Sequence, residues 1–286
     1  MSLVQADRSI LVHALLGALV PGAASTVILA AARPWSGRAA ESAPARGWTM
    51  PLALGLAFPA GYLAINGWPP LPPKLGITQW LFYLGLIGGL WGAYEARRAR
   101  SVRPAWLGAS IAMPIVLLGF VREHQWSAVE TGVWTSGLAL ALFLSWNVLT
   151  ALESRVRLGP LLLGWTAVEA LAAGAYQFSH SSVLAQLAGA LVAALLPCAV
   201  LGFWRPAQGL PTGVVAPFLL LHSGLAWAAH FASYLGLTGF VLISLAPLAA
   251  LLSLCSSRRS SLAVGLPALL SLLALLLEYR SASESY

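Results

Sequence analysis

The stretch LGPLLLGWTAVEALAAGAYQF, residues 158–178, contains one charged side chain, Glu169, in an otherwise near-continuous apolar run. About 20 apolar residues in a helix cross the hydrocarbon core of a bilayer. Strands of a membrane barrel would alternate in polarity, and this run does not. It therefore reads as a transmembrane helix with a carboxyl group near its middle, about 16 Å along at ~1.5 Å per residue.

Nine further stretches of the same kind flank it. The ten predicted spans are Ser9–Ala32, Trp48–Asn66, Gly76–Tyr94, Pro104–Val121, Trp126–Leu152, Leu158–Phe178, Ser182–Phe203, Thr212–Tyr234, Leu237–Cys255 and Leu262–Leu277. The predicted fold class is an all-α, polytopic helical membrane bundle in one transmembrane domain, residues 1–286. Composition agrees: 59% of residues are hydrophobic and 9% are charged, against about 25% charged in soluble domains.

Charge sets the expected orientation. Arg33, Arg38, Arg46, Arg97, Arg98, Arg100, Arg103, Arg155, Arg157, Arg205, Arg258 and Arg259 fall in the odd-numbered joins. Arg8, Lys74, Arg122 and Arg280 fall in the even-numbered joins and the tails. Basic loops stay in the cytoplasm, so both termini are expected outside. A signal-peptide reading of Ser9–Val20, with cleavage near Gly22–Ser25, would place the first arginines outside and break this alternation; the segment is read as a retained helix. Tryptophans fit the same frame. Trp35, Trp48, Trp91, Trp106, Trp146 and Trp204 fall at cytoplasmic interfaces, Trp68 and Trp126 at the outer one, and Trp134, Trp165 and Trp227 lie deeper. One lysine amid abundant alanine, leucine and arginine points to a GC-rich bacterial genome and an inner-membrane location.

The formal charge of +7 does not indicate nucleic acid, because the arginines are dispersed over short loops. The lipid bilayer is the expected partner. Cys198 and Cys255 form no metal or redox spacing. No cofactor or metal is expected, and no nucleotide-binding or hydrolase motif stands in a usable context.

Ten spans divide into two sets of five, residues 1–157 and 158–286, which would be inverted relative to each other. Interior prolines Pro59 and Pro197, and Pro114 and Pro247, then occupy corresponding spans as helix-break candidates. A proline frees a backbone carbonyl at membrane depth, which a substrate or ion can use. Gly85, Gly88, Gly89 and Gly92 make two overlapping GxxxG spacings. These suit close helix contact within the bundle, or docking of another membrane protein. The loop 67–74, with four prolines, reads as a stiff connector.

Ionisable groups at membrane depth are costly and hence functional candidates. Glu169 and His222 map near the midplane. His230, Glu130, His13 and Gln186 map to the outer part of their helices, while His124 and His180 fall in outer loops. This distribution predicts an outward-facing polar vestibule with Glu169 and His222 at its floor, offering a path for a proton or small solute. The expected function is that of a small secondary transporter and not of an enzyme. The alternatives are an outer-leaflet enzyme using His13, Glu130, His180 and His230, or a non-catalytic subunit of a membrane complex.

Overall fold

The structure is a computed structural model that describes residues 3–31, 47–72, 76–97, 103–124, 126–153, 155–204, 213–249 and 259–284. Among these residues the chain is all helix with no strand. The elements are α1 (Leu3–Ala31), α2 (Thr49–Asn66), α3 (Ile77–Arg97), α4 (Arg103–Leu117), α5 (Gly119–His124), α6 (Ala128–Glu153), α7 (Leu158–Phe178), α8 (Ser182–Trp204), α9 (Val215–Phe231), α10 (Leu237–Ala249) and α11 (Arg259–Glu284). Lys74, Cys255 and much of the arginine-rich joins, including Arg33, Arg38, Arg46, Arg98, Arg100, Arg205 and Arg258, lie outside the described residues.

Five helical stretches are long and apolar enough to cross a membrane: Thr49–Asn66, Ala128–Glu153, Leu158–Phe178, Ser182–Phe203 and Gly265–Glu284. Shorter apolar helices are Leu15–Ala31, Ala105–Leu117, Val215–Phe231 and Leu237–Ala249. Large apolar side chains such as Leu19, Val129, Leu140, Leu269 and Leu276 point outward, which fits a membrane protein. The predicted span Pro104–Val121 is divided in two at Leu118, where Gly119 begins α5. Glycine lowers the cost of leaving the helix there.

The centre is α9. Each residue from Val215 to Ala229 is buried, and the helix packs against α2, α3, α6, α8 and α10. Backbone contact brings α3 to this centre. A Cβ on Gly85 would meet Pro59 at 3.0 Å, and one on Gly88 would meet the Pro217 backbone at 2.7 Å. Gly89 abuts Gly55 of α2, and Gly92 abuts Gly213 just before α9. The two GxxxG registers therefore serve two neighbours: Gly85 and Gly89 face α2, and Gly88 and Gly92 face the start of α9. Both faces are covered from within the chain.

Proline positions do not interrupt the helices. Pro59, Pro114, Pro197 and Pro247 lie inside α2, α4, α8 and α10. In the 67–74 loop, the Tyr83 hydroxyl donates to the Pro70 carbonyl at 3.0 Å and Trp68 packs edge-on against Phe82. The stiff segment is thereby tied down to α3.

Candidate functional site

Glu169 sits on the inward stripe of α7, together with Trp165 one turn before it and Tyr176 two turns after it; all three are fully buried or nearly so. Its partner comes from α9. Glu169 Oε1 is hydrogen-bonded to Nδ1 of His222, and the two side chains are 0% and 1% exposed. The other imidazole nitrogen, Nε2, is 3.1 Å from the Ile243 carbonyl of α10.

That carbonyl is available for a local reason. In a regular helix it would accept from the amide four residues on, which here is Pro247, and proline has no N–H. Pro247 thus leaves the Ile243 oxygen without its helical donor, and His222 supplies one. Three helices meet at one imidazole, and a proline three turns into the run from Leu237 made the third contact available.

The geometry fixes the proton inventory. A carbonyl only accepts, so Nε2 must carry a proton. The close Nδ1···Oε1 contact requires one further proton between two lone-pair-bearing atoms. It resides either on the carboxyl, with a neutral imidazole, or on the imidazole, with a carboxylate. Both forms have zero net charge, which is how the pair is tolerated in a low-dielectric interior. Moving the shared proton changes the internal dipole but not the charge. Losing it leaves a negative pair, and gaining another leaves a positive one.

Aromatic rings wall the pair on one side. Trp165 stacks on Phe218 with ring centroids 4.2 Å apart and planes within 4°, and Phe218 stacks in turn on His222 at 5.5 Å. The i, i+4 spacing of Trp165–Glu169 on α7 and of Phe218–His222 on α9 places both layers face to face. Several polar atoms near this level have no protein partner: Glu169 Oε2, Tyr176 Oη, Trp165 Nε1 and Ser244 Oγ, all buried. Buried polar atoms in native proteins are nearly always satisfied, by ordered water where protein does not serve. Glu169 Oε2 is one of these, so the pair has one carboxyl oxygen with no protein partner.

The remaining sequence candidates lie elsewhere. His230 Nδ1–H donates to the Leu235 carbonyl at 2.9 Å, and its ring stacks on Phe240 at 4.6 Å within a cluster that includes Trp126, Trp134 and Phe231. Glu130 is exposed. It accepts from the Ser127 amide and hydroxyl at 2.8 and 2.7 Å, while its own amide donates to Ser127 Oγ at 3.3 Å. This is a capping box at the start of α6. Gln186 is half-buried on α8, His180 is exposed with φ of 60° in the α7–α8 turn, and the His13 and His124 side chains lie outside the described residues. Of the six sequence-selected polar residues, the structure joins Glu169 and His222 directly. Among the described residues there is no cluster of three or more His, Cys, Asp or Glu suited to a metal ion.

Three further buried carboxylates, Glu95, Glu153 and Glu278, escaped sequence reasoning. Glu95, 7% exposed, accepts indole N–H groups from Trp91 at 2.7 Å and from Trp106 of α4. Trp106 stacks on Trp146 of α6 at 5.6 Å, so this tie links α3, α4 and α6. The string Glu95-Ala96-Arg97-Arg98 reads as a loop edge; the available signal was Trp91 one turn before the carboxyl. Glu278, 8% exposed, accepts the Gly236 amide at 3.2 Å. No family model, no curated protein and no solved structure matches this chain.

Proposed function

We propose that the protein is a small secondary transporter of the inner membrane, crossing the bilayer ten times, in which the Glu169–His222 pair is the proton-binding element. The observation that carries this reading is the hydrogen bond between a fully buried carboxyl and an imidazole, with the second carboxyl oxygen without a protein partner. A pair held this way takes up or releases a proton in response to a change in its surroundings, since each step creates or removes a net charge in a medium that penalises it. Coupling follows when the same helices move with the solute.

The topology in this reading has basic joins in the cytoplasm and both termini in the periplasm. Two inverted halves, 1–157 and 158–286, fit the packing. α2 lies against α8 and α3 against α9, and these are the equivalent helices of the two halves. Pro247, one of the four paired prolines, contributes through the carbonyl it frees.

The test is a pH jump on the purified protein reconstituted on a solid-supported membrane. Wild type gives a transient charge displacement, and Glu169→Gln and His222→Phe abolish it. A displacement of equal size in Glu169→Gln removes the proton-binding assignment. Solute classes are then screened by uptake into proteoliposomes with an imposed pH gradient. Labelling single cysteines at positions 98 and 259 with a membrane-impermeant maleimide checks the orientation; reaction from the periplasmic side reverses it.

A further inference from the structure

The α9–α10 turn is held in an unusual way. The peptide group between Leu235 and Gly236 is gripped from both sides: its carbonyl accepts from His230 Nδ1–H of α9 at 2.9 Å, and its N–H donates to Glu278 Oε1 of α11 at 3.2 Å. Glu278 lies on a bare backbone cradle. A Cβ on Gly239 would come 2.5 Å from the same carboxyl oxygen, and one on Gly236 would come 3.1 Å from it. The two glycines bracket the N-terminus of α10, so the carboxyl caps in trans a helix whose own first turn offers no acidic side chain. Backbone N–H groups and the helix dipole favour a carboxylate there. This explains why an otherwise costly carboxyl is buried at the end of α11.

The same α10 carries, further along, the Ile243 carbonyl that holds His222. It is described over 13 residues, Leu237–Ala249, and the Leu235–Gly236 peptide secures its N-terminal end. We propose that α10 is the movable gate of the Glu169–His222 site and that the His230–peptide–Glu278 arrangement is its latch. This rests on the proposed proton-binding role of the pair and assigns the route by which water reaches it. Releasing the latch lets the Gly236 end of α10 swing from α11. The swing draws the Ile243 carbonyl from His222 and opens the unpartnered Glu169 oxygen to the aqueous phase at that end of the bundle. Relatching restores the acceptor and reseals the pair.

The experiment uses the full chain in lipid nanodiscs and two independent readouts. Hydrogen–deuterium exchange across residues 235–243 reports the latch. Modification of Glu169 by a water-soluble carbodiimide with an amine trap, read by peptide mass spectrometry, reports access to the pair. Glu278→Ala and Gly239→Ala each raise exchange in the segment about 10-fold or more, and raise Glu169 modification by a similar factor. His230→Phe, which keeps the ring stack and removes the donor, moves both readouts in the same direction. Glu278→Gln retains an acceptor oxygen and stays near wild type. Faster exchange without faster Glu169 modification overturns the gate, and unchanged exchange in both Gly239→Ala and His230→Phe overturns the latch. The pH-jump displacement of the wild type separates the two readings. Its absence alongside coupled exchange and modification defeats proton binding but not the gate, and its presence with an uncoupled latch does the reverse.

Discussion

Replacing His222 by leucine removes the Nδ1 partner of Glu169 Oε1 and the Nε2 donor to the Ile243 carbonyl. A buried ionisable group stripped of its partner costs about 3–5 kcal/mol, and an orphaned carbonyl costs about 1–3 kcal/mol. Relaxation and water entry offset part of the sum, so the expected loss is about 4 kcal/mol. Glu169→Leu is milder. The imidazole keeps its bond to Ile243 and loses only the partner of Nδ1, at about 1–3 kcal/mol. The double replacement removes both polar groups and fills the space with apolar atoms of similar volume. Exchanging a buried pair for well-packed hydrophobic residues is close to neutral, but the Ile243 carbonyl still lacks its donor, so the double variant should lie about 2 kcal/mol below wild type. With Glu169→Leu at about 2 kcal/mol, the cycle therefore predicts a coupling energy of about 4 kcal/mol. Thermal unfolding of the purified protein in detergent is the assay, and at about 2–4 °C per kcal/mol His222→Leu should melt about 8–16 °C below wild type. Recovery in the double variant is the decisive result. Additive losses would refute the direct pair and the shared proton deduced from it.

Gly88→Ala drives a methyl into the Pro217 backbone, 2.7 Å away, and should cost about 1–3 kcal/mol in thermal unfolding, whereas Gly137→Ala, with open space around its Cβ, should be neutral or slightly stabilising. Trp106→Phe removes an indole donor from Glu95 and should destabilise by about 1.5–3 kcal/mol. It should also shift the tryptophan emission spectrum through the loss of the stack on Trp146. Ser127→Ala dismantles the capping box with Glu130. Faster hydrogen exchange in the first turn of α6 is expected, with no change in the pH-jump displacement.

Long apolar runs make helices legible because lipid leaves the backbone few other choices. That physics is local, and the helices found overlap the predicted stretches, but α1 begins six residues before Ser9, α11 runs seven beyond Leu277, α4 gives way to α5 at Leu118, and the predicted run to Cys255 leaves the described residues after Ala249. Glu169 and His222 were legible as candidates for the same reason: depth along an apolar helix follows from counting residues. Their mutual bond was not, because rotation of one helix about its axis relative to another is set by packing that no single segment encodes. The Ile243 carbonyl occupies a middle position. The rule that proline frees the oxygen four residues earlier can be applied to any sequence, but which side chain claims that oxygen depends on how α9 and α10 meet. Glu95 and Glu278 were hidden by their neighbours. Each stands beside arginine at the end of an apolar run, the usual place of a solvated charge, and only the tertiary contacts with Trp106 and Gly236 bring them inside.

The encirclement of α9 bears on how the chain is made. This helix carries His222 and Ser223 in 17 residues, a modest claim on the bilayer when it leaves the ribosome. Its neighbours α2, α3, α6 and α8 have been synthesised by then, but α10, which supplies the acceptor for His222, has not. Nδ1 already has Glu169 of α7 in the chain, but Nε2 must wait, hydrated or bonded elsewhere, until the next segment is threaded in. Final closure of the interior belongs to the last stage of biogenesis.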